Sequence, residues 1–205
     1  MSDYMIDDNS WKGKKTLDIR AFARDLAPFI GGELMPEGEN DSGRVAYIMR
    51  GSNKISILTI WNKPGFVTIN ISAPDINWEI ARDMYGAQYK TESANFSVSR
   101  DMNILAKSIQ NRVINPNIQI LANQREFAKN RLDSVNKMEN AIEQASKRNP
   151  DFTFNKRDSH NASIGVTGVY VCATMDSNLN VRIERLETVS LEQFEEIMKI
   201  IKKTD

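Results

Sequence analysis

The stretch RVAYIMRGSNKISILTIWNKPGFVTINI, residues 44–71, decides the fold. It contains three runs with a period of two, the mark of half-buried strands. Residues 44–50 set Val45, Tyr47 and Met49 against Ala46 and Ile48. Residues 54–61 set Ile55, Ile57 and Trp61 on one face and Leu58 and Ile60 on the other. Residues 66–71 set Val67, Ile69 and Ile71 against Phe66 and Thr68. The links Gly51-Ser52-Asn53 and Asn62-Lys63-Pro64-Gly65 have the residue types of tight turns. Links this short join neighbouring strands antiparallel, so the stretch predicts a meander. Its middle strand is apolar on both faces and is expected to be central and covered on both sides.

Upstream, Thr16 is placed to cap a helix whose apolar face is Ile19, Phe22, Leu26, Phe29 and Ile30. Pro28 and then Gly31-Gly32 mark its end. Downstream, Ala73-Pro74-Asp75 breaks the strand pattern, and residues 76–85 read as a short helix or structured loop. Residues 94–99 read as a further strand. Ser99 is placed to cap a helix carrying Met102, Leu105, Ile109 and Val113, and Asn115-Pro116 is expected to end it. Residues 117–149 hold the longest helical signal. On a helical wheel Leu121, Phe127, Ala128, Leu132, Val135, Met138 and Ile142 share an arc of about 140°. Such a helix is roughly 48 Å long and must either project as an arm or bend. Residues 151–162 read as loop. Residues 164–174 and 179–187 then form a hairpin around Asp176-Ser177-Asn178. Ser190 and Gln193 have capping-box spacing before a final helix with Leu191, Phe194, Ile197, Met198 and Ile201 on its apolar face. The expected fold class is α+β: an antiparallel sheet packed with N- and C-terminal helices, plus a long helical arm over about 100–149. Residues 1–14 read as a flexible tail and 15–205 as a single domain.

Composition narrows the function classes. With 40% hydrophobic residues the 205-residue chain has enough apolar surface for a core. No apolar run approaches the roughly 20 residues of a membrane span. The first residues carry Asp3, Asp7 and Asp8, where a secretory leader would be basic and then apolar, so a cytoplasmic location is expected. Twenty-seven basic residues balance twenty-seven acidic ones, so any attraction to nucleic acid must come from a local patch. A single cysteine, Cys172, and a single histidine, His160, leave no internal disulfide and no multi-Cys or multi-His zinc site.

Catalytic constellations are sparse. Cys172 lies in an apolar strand-like run and His160 in a polar one, which is a poor nucleophile–base pair. Pro74-Asp75 followed by Gln88-Tyr89-Lys90 is an incomplete version of a metal-dependent nuclease arrangement, because the second acid is replaced by Gln88. The plain alternative is that Asp75 caps a helix. No phosphate-cradling glycine loop occurs and no cofactor is expected. Trp61 and Trp78 read as core or core-edge residues, and Tyr85 and Tyr89 flank Gly86 in a loop.

Two binding surfaces remain. Residues 101–157 carry ten basic and six acidic side chains, and Lys12, Lys14 and Lys15 sit beside Trp11. Candidate nucleic-acid contacts are therefore Lys12, Lys14, Lys15, Arg112, Arg125 and Lys129. Asp133 with Lys137 and Glu143 with Lys147 instead suit a solvated helix face. Arg131 falls inside the apolar arc and must pair, snorkel or meet a partner, with Glu139 nearby. Phe127, Arg131, Val135 and Met138 are accordingly the candidate partner-binding or self-association face.

The run Phe96-Ser97-Val98-Ser99, then 104–109, then Arg112-Val113-Ile114 before Asn115-Pro116, resembles a pattern of phage- and plasmid-encoded accessory proteins of unknown activity. In that pattern a strand ending in Val-Ser leads into an Ile-Ala-x-x-Ile-x-x-Arg helix. The resemblance covers about the first 120 residues and implies a mobile-element accessory protein. Together these readings favour a non-enzymatic binding protein, in its first version associated with nucleic acid. The alternative is an inhibitor of a host defence protein (anti-CRISPR-like) acting through the arm, and a metal-dependent nuclease comes last. The expected partners are thus a host protein or nucleic acid, not a membrane, with homo-oligomerisation through the arm as an option.

Overall fold

A computed structural model describes residues 4–7, 15–38, 43–79, 84, 86–156, 161–166, 169–176, 178–186, 190, 192, 193 and 196. The chain is α+β and divides into two compact units, Met1–Ala128 and Lys129–Asp205, where one domain with an arm was expected.

In the first unit the meander forms as predicted. Strands β4 (Val45–Arg50), β5 (Asn53–Thr59) and β6 (Phe66–Ser72) pair antiparallel. They are flanked by β3 (Glu33–Leu34) and β7 (Ala94–Ser97), giving the order β3-β4-β5-β6-β7 with β5 central. A two-stranded ribbon precedes it: β1 (Met5–Asp7) pairs with β2 (Lys15–Leu17), so part of the stretch read as a tail is strand.

Helix α1 (Ile19–Leu26) starts two residues later than the sequence suggested. Thr16 lies in β2, and Asp18 is the cap, its carboxylate accepting from Ala21 N–H at 2.9 Å. The helix tightens into a 3₁₀ turn (Ala27–Ile30) with Pro28 at its start, where a missing N–H costs nothing. Phe29 is exposed because the tighter turn rotates it off the apolar face. Gly32 is required by contact: a Cβ there would stand 2.7 Å from the Met49 carbonyl oxygen and 2.5 Å from an Ile48 methyl.

Helix α2 (Met102–Ile109) is capped by Asp101, not Ser99. The Asp101 carboxylate accepts from Asn103 and Ile104 N–H, whereas Ser99 bonds the Ser97 hydroxyl. Asn115-Pro116 does not end it. A π turn, Gln110–Ile114, leads straight into α3 (Asn115–Arg148), so 47 residues are continuously helical. Pro116 has no N–H to give, and its ring needs the space of a carbonyl one turn back. The wider π turn, in which Asn115 N–H reaches the Gln110 carbonyl, supplies that space. Buried Asn117 completes the junction by donating to the Val113 carbonyl at 2.6 Å.

The core of this unit joins α1, its 3₁₀ turn, α2, the π turn and Leu121 of α3 to one face of the sheet. That face is Ala46, Ile48, Ile55, Ile57, Val67, Ile69, Ile71 and Phe96, all essentially buried. Every described helix that contributes to this core packs on the same face.

In the second unit, four antiparallel strands run in the order β11-β10-β9-β8. β8 (Phe152–Lys156) occupies part of the segment read as loop. Its Phe-Thr-Phe-Asn-Lys alternation is too short and polar to stand out. The run read as one strand over 164–174 is two, β9 (Asn161–Val166) and β10 (Val169–Asp176). β11 (Val181–Leu186) pairs with β10 across a turn held by Asp176, whose carboxylate accepts from Asn178 N–H and from the backbone and side-chain amides of Asn180. Those bonds, the Asn180 side chain foremost, hold the Asp176 carboxyl below its ordinary range. Met138, Ala162 and Met175 form the buried cluster of this unit, with Ile142 and Ile164 against it. Ser190 and Gln193 make the expected capping box, each backbone N–H bonded to the other's side chain. Leu191, Phe194, Ile197, Met198 and Ile201 lie outside the described residues.

Candidate functional site

The first half of α3 is a clamp on loops of its own unit. Arg125 donates to both oxygens of Asp75, at 2.9 and 3.0 Å, to the Ser52 carbonyl at 2.9 Å and to Asn53 Oδ1 at 2.8 Å. It thereby ties the helix to the β4–β5 turn and to the segment leaving β6. The Arg125 guanidinium holds the Asp75 carboxyl below its ordinary range. Asn117 bonds both the N–H and the carbonyl of Glu92, at 2.8 and 2.9 Å. Gln124 donates to the Tyr89 carbonyl at 2.6 Å, and the Tyr89 ring meets Phe127 edge-on at 5.4 Å.

These contacts revise several readings of single residues. Asp75 is the carboxylate of a bidentate ion pair and not a helix cap. Arg125 has Nε and Nη2 committed to Asp75, Ser52 and Asn53, which holds the guanidinium against its own unit. Arg112 is exposed and lies over the Phe96 ring at 5.1 Å. Lys15 and Lys129 are exposed, on β2 and α3 respectively, while Lys12, Lys14 and His160 lie outside the described residues, as does the Cys172 side chain. Among the described nucleic-acid candidates, Lys15, Arg112 and Arg125 thus lie at three different places in the first unit.

The apolar arc of α3 is real, but its best candidates are interior. Met138 is fully buried, Val135 is buried, and Phe127 and Arg131 are half-buried; Leu132 is the exposed member. Arg131 already has an interaction partner within the chain. Glu143 and Lys147 form the expected i,i+4 pair on the solvent side, with Lys147 lowering the Glu143 pKa.

Sequence reasoning missed the outer face of the five-stranded sheet as a surface in its own right. Register aligns Val45, Leu58, Thr68 and Asn95 in one row, Tyr47, Ser56 and Asn70 in the next, and Glu33, Met49, Lys54 and Ser72 in a third; Phe66 stands opposite Ser97. These side chains are half-buried or exposed, as expected of a face with no described helix over it. No Asp or Glu occurs in β4, β5, β6 or β7, and exposed Glu33 of β3 stands at the edge of this face. Lys54 lies over the Tyr47 ring at 4.9 Å, and Thr68 donates to Asn95 Oδ1 at 2.8 Å. The signal was present as the second residue of every alternating pair, but an aromatic or aliphatic there equally suits a covered face.

Trp61 and Trp78, read as core or core-edge residues, are exposed, at 81% and 49%. The alternation runs past the end of β5 at Thr59, and Trp61 falls in the turn beyond it. Arg44 stacks on the Trp61 ring at 4.4 Å.

Among the described residues no three His, Cys, Asp or Glu side chains gather as a metal site, and no helix is long and apolar enough to cross a membrane. No family model, curated protein or solved structure matches this chain.

Proposed function

We propose that this chain is a non-enzymatic nucleic-acid-binding protein, an accessory protein of the phage or plasmid kind, and that the outer face of its five-stranded sheet is the binding platform. The observation that carries this reading is the make-up of that face. Strands β4 to β7 offer aromatic rings, neutral hydrogen-bonding groups and a lysine there and no carboxylate, while Glu33 stands at the β3 edge opposite Met49. Unstacked bases are held by aromatic stacking and by hydrogen bonds to base edges, and sheet platforms in single-strand-binding modules combine these groups. Tyr47 and Phe66 lie two strands and four residue steps apart, roughly 17 Å from strand geometry. A ligand touching both is therefore a strand rather than one nucleotide. A protein partner would meet the same face with weaker charge selectivity.

The test is a titration of single-stranded and duplex oligonucleotides across a salt series. Binding that weakens steeply with salt is expected, because phosphate contacts release counterions. Tyr47→Ala with Lys54→Ala should lower affinity for the single strand by about tenfold, each lost base stack contributing on the order of 1–3 kcal/mol. No binding at low salt sinks the proposal.

A further inference from the structure

We propose that the β5–β6 turn is a second base-stacking element, in which Trp61 receives an unpaired base while Arg44 and Lys63 hold the adjoining phosphates. This rests on the nucleic-acid reading above and narrows it to single strands.

Trp61 presents most of its indole to water, an arrangement that costs apolar hydration unless a ligand covers it. It is held on a preformed turn. Lys63 N–H bonds the Ile60 carbonyl at 3.1 Å, Phe66 N–H bonds the Lys63 carbonyl at 3.1 Å, and Ile60 N–H bonds the Phe66 carbonyl at 3.4 Å. Gly65 takes the left-handed conformation that closes the turn, with φ at 79°. The same end of the sheet is tied on both sides, by Thr59 N–H to the Arg44 carbonyl at 3.0 Å and by Val98 N–H to the Gly65 carbonyl at 2.9 Å. A ring on such a turn loses little conformational entropy on binding.

The Arg44 guanidinium carbon lies over the Trp61 ring, 4.4 Å from its centroid, and the indole, 81% exposed, remains open to a base. A guanidinium over an aromatic ring still has N–H groups to donate to phosphate oxygens. Lys63 is exposed two residues along, and Phe66, 42% exposed, is the next aromatic toward the sheet face. Residues 59–66 contain no acid. Past Val98 the chain continues with Arg100 and then Asp101, whose carboxylate is turned to the N-terminus of α2. A duplex has both faces of its bases already stacked, so this chemistry selects a single strand.

Full-length protein is titrated by fluorescence anisotropy with a labelled oligothymidylate, a duplex of equal length and, separately, vesicles rich in anionic lipid. Wild type is expected to favour the single strand at least tenfold over the duplex. Trp61→Ala should weaken single-strand binding about tenfold and Trp61→Phe should restore most of it, with thermal melting of both variants unchanged because the side chain is exposed. Equal affinity for duplex, or an unchanged Trp61→Ala affinity while Tyr47→Ala with Lys54→Ala is impaired, overturns the turn site and leaves the sheet platform standing. Absence of oligonucleotide binding by wild type removes both readings. Trp61-dependent vesicle binding in that case assigns the turn to a membrane surface instead.

Discussion

The two faces of the five-stranded sheet are built from the same strands and answer to different constraints. The inner face is isoleucine, valine, alanine and one phenylalanine, closed by α1, α2 and the start of α3. The outer face interleaves Tyr47, Leu58 and Phe66 with Ser56, Thr68, Asn70, Asn95 and Lys54. Alternation puts every side chain on one face or the other, but it is burial on one side only that forces the inner set to be uniformly apolar. The outer set is free of that demand, so its aromatic content, with the carboxylate of Glu33 confined to the β3 edge, carries functional information that the inner set cannot.

This contrast is open to direct attack. The largest effect is expected on the inner side: Phe22→Ala, at a fully buried ring touching Tyr4 edge-on, should cost about 3–5 kcal/mol in denaturant unfolding. A loss below about 1 kcal/mol would mean the core closes elsewhere. Next comes Gly32→Ala, whose added methyl must displace the β4 backbone; overpacking of about 1–3 kcal/mol should appear as a lower denaturation midpoint with unchanged slope.

Arg125→Ala should cost about 1 kcal/mol, since its partner Asp75 is half exposed and part of the attraction is screened. The pair also gives a pH signature. The Asp75 pKa is lowered in the folded chain, so its contribution is complete above the ordinary carboxylate range and fades as pH falls through the lowered value. Acid unfolding of wild type should therefore start from a higher stability that converges on that of Arg125→Ala at low pH; parallel curves would deny the clamp. The smallest stability effect belongs to the outer face, where Tyr47→Ser should change unfolding by less than about 1 kcal/mol yet lower oligonucleotide affinity. A large stability loss there would show that the face is covered core and not platform.

Much of the first unit was legible because strands and helices with one buried face write their period into the chain. The meander, its turns and its central strand followed from Val67-x-Ile69-x-Ile71 and its neighbours, as did the buried faces of α1 and α2. Helix starts were misassigned by two residues because Thr16 and Ser99 are as suitable as caps, in isolation, as Asp18 and Asp101; only the strands ending at Leu17 and Ser97 exclude them. Pro116 was read as a stop because a helix breaker is judged against an ordinary α-turn, whereas here a π turn makes room for it. Strand β8 was missed because five residues with two aromatics show too little periodicity. The candidate site was less legible than the fold: a basic residue such as Arg125 looks the same in sequence whether it meets phosphate or Asp75.

By itself the sequence determined the α+β class, the antiparallel meander and the long helix, because these depend on local period. Tertiary structure alone decided that Arg125 is a clamp, that Val135 and Met138 are interior, that Trp61 stands in water and that one sheet face has no described helix over it. Those outcomes depend on which distant segments meet, and Asp75 and Arg125, 50 residues apart in the chain, become partners only once the sheet and helix have closed on one another.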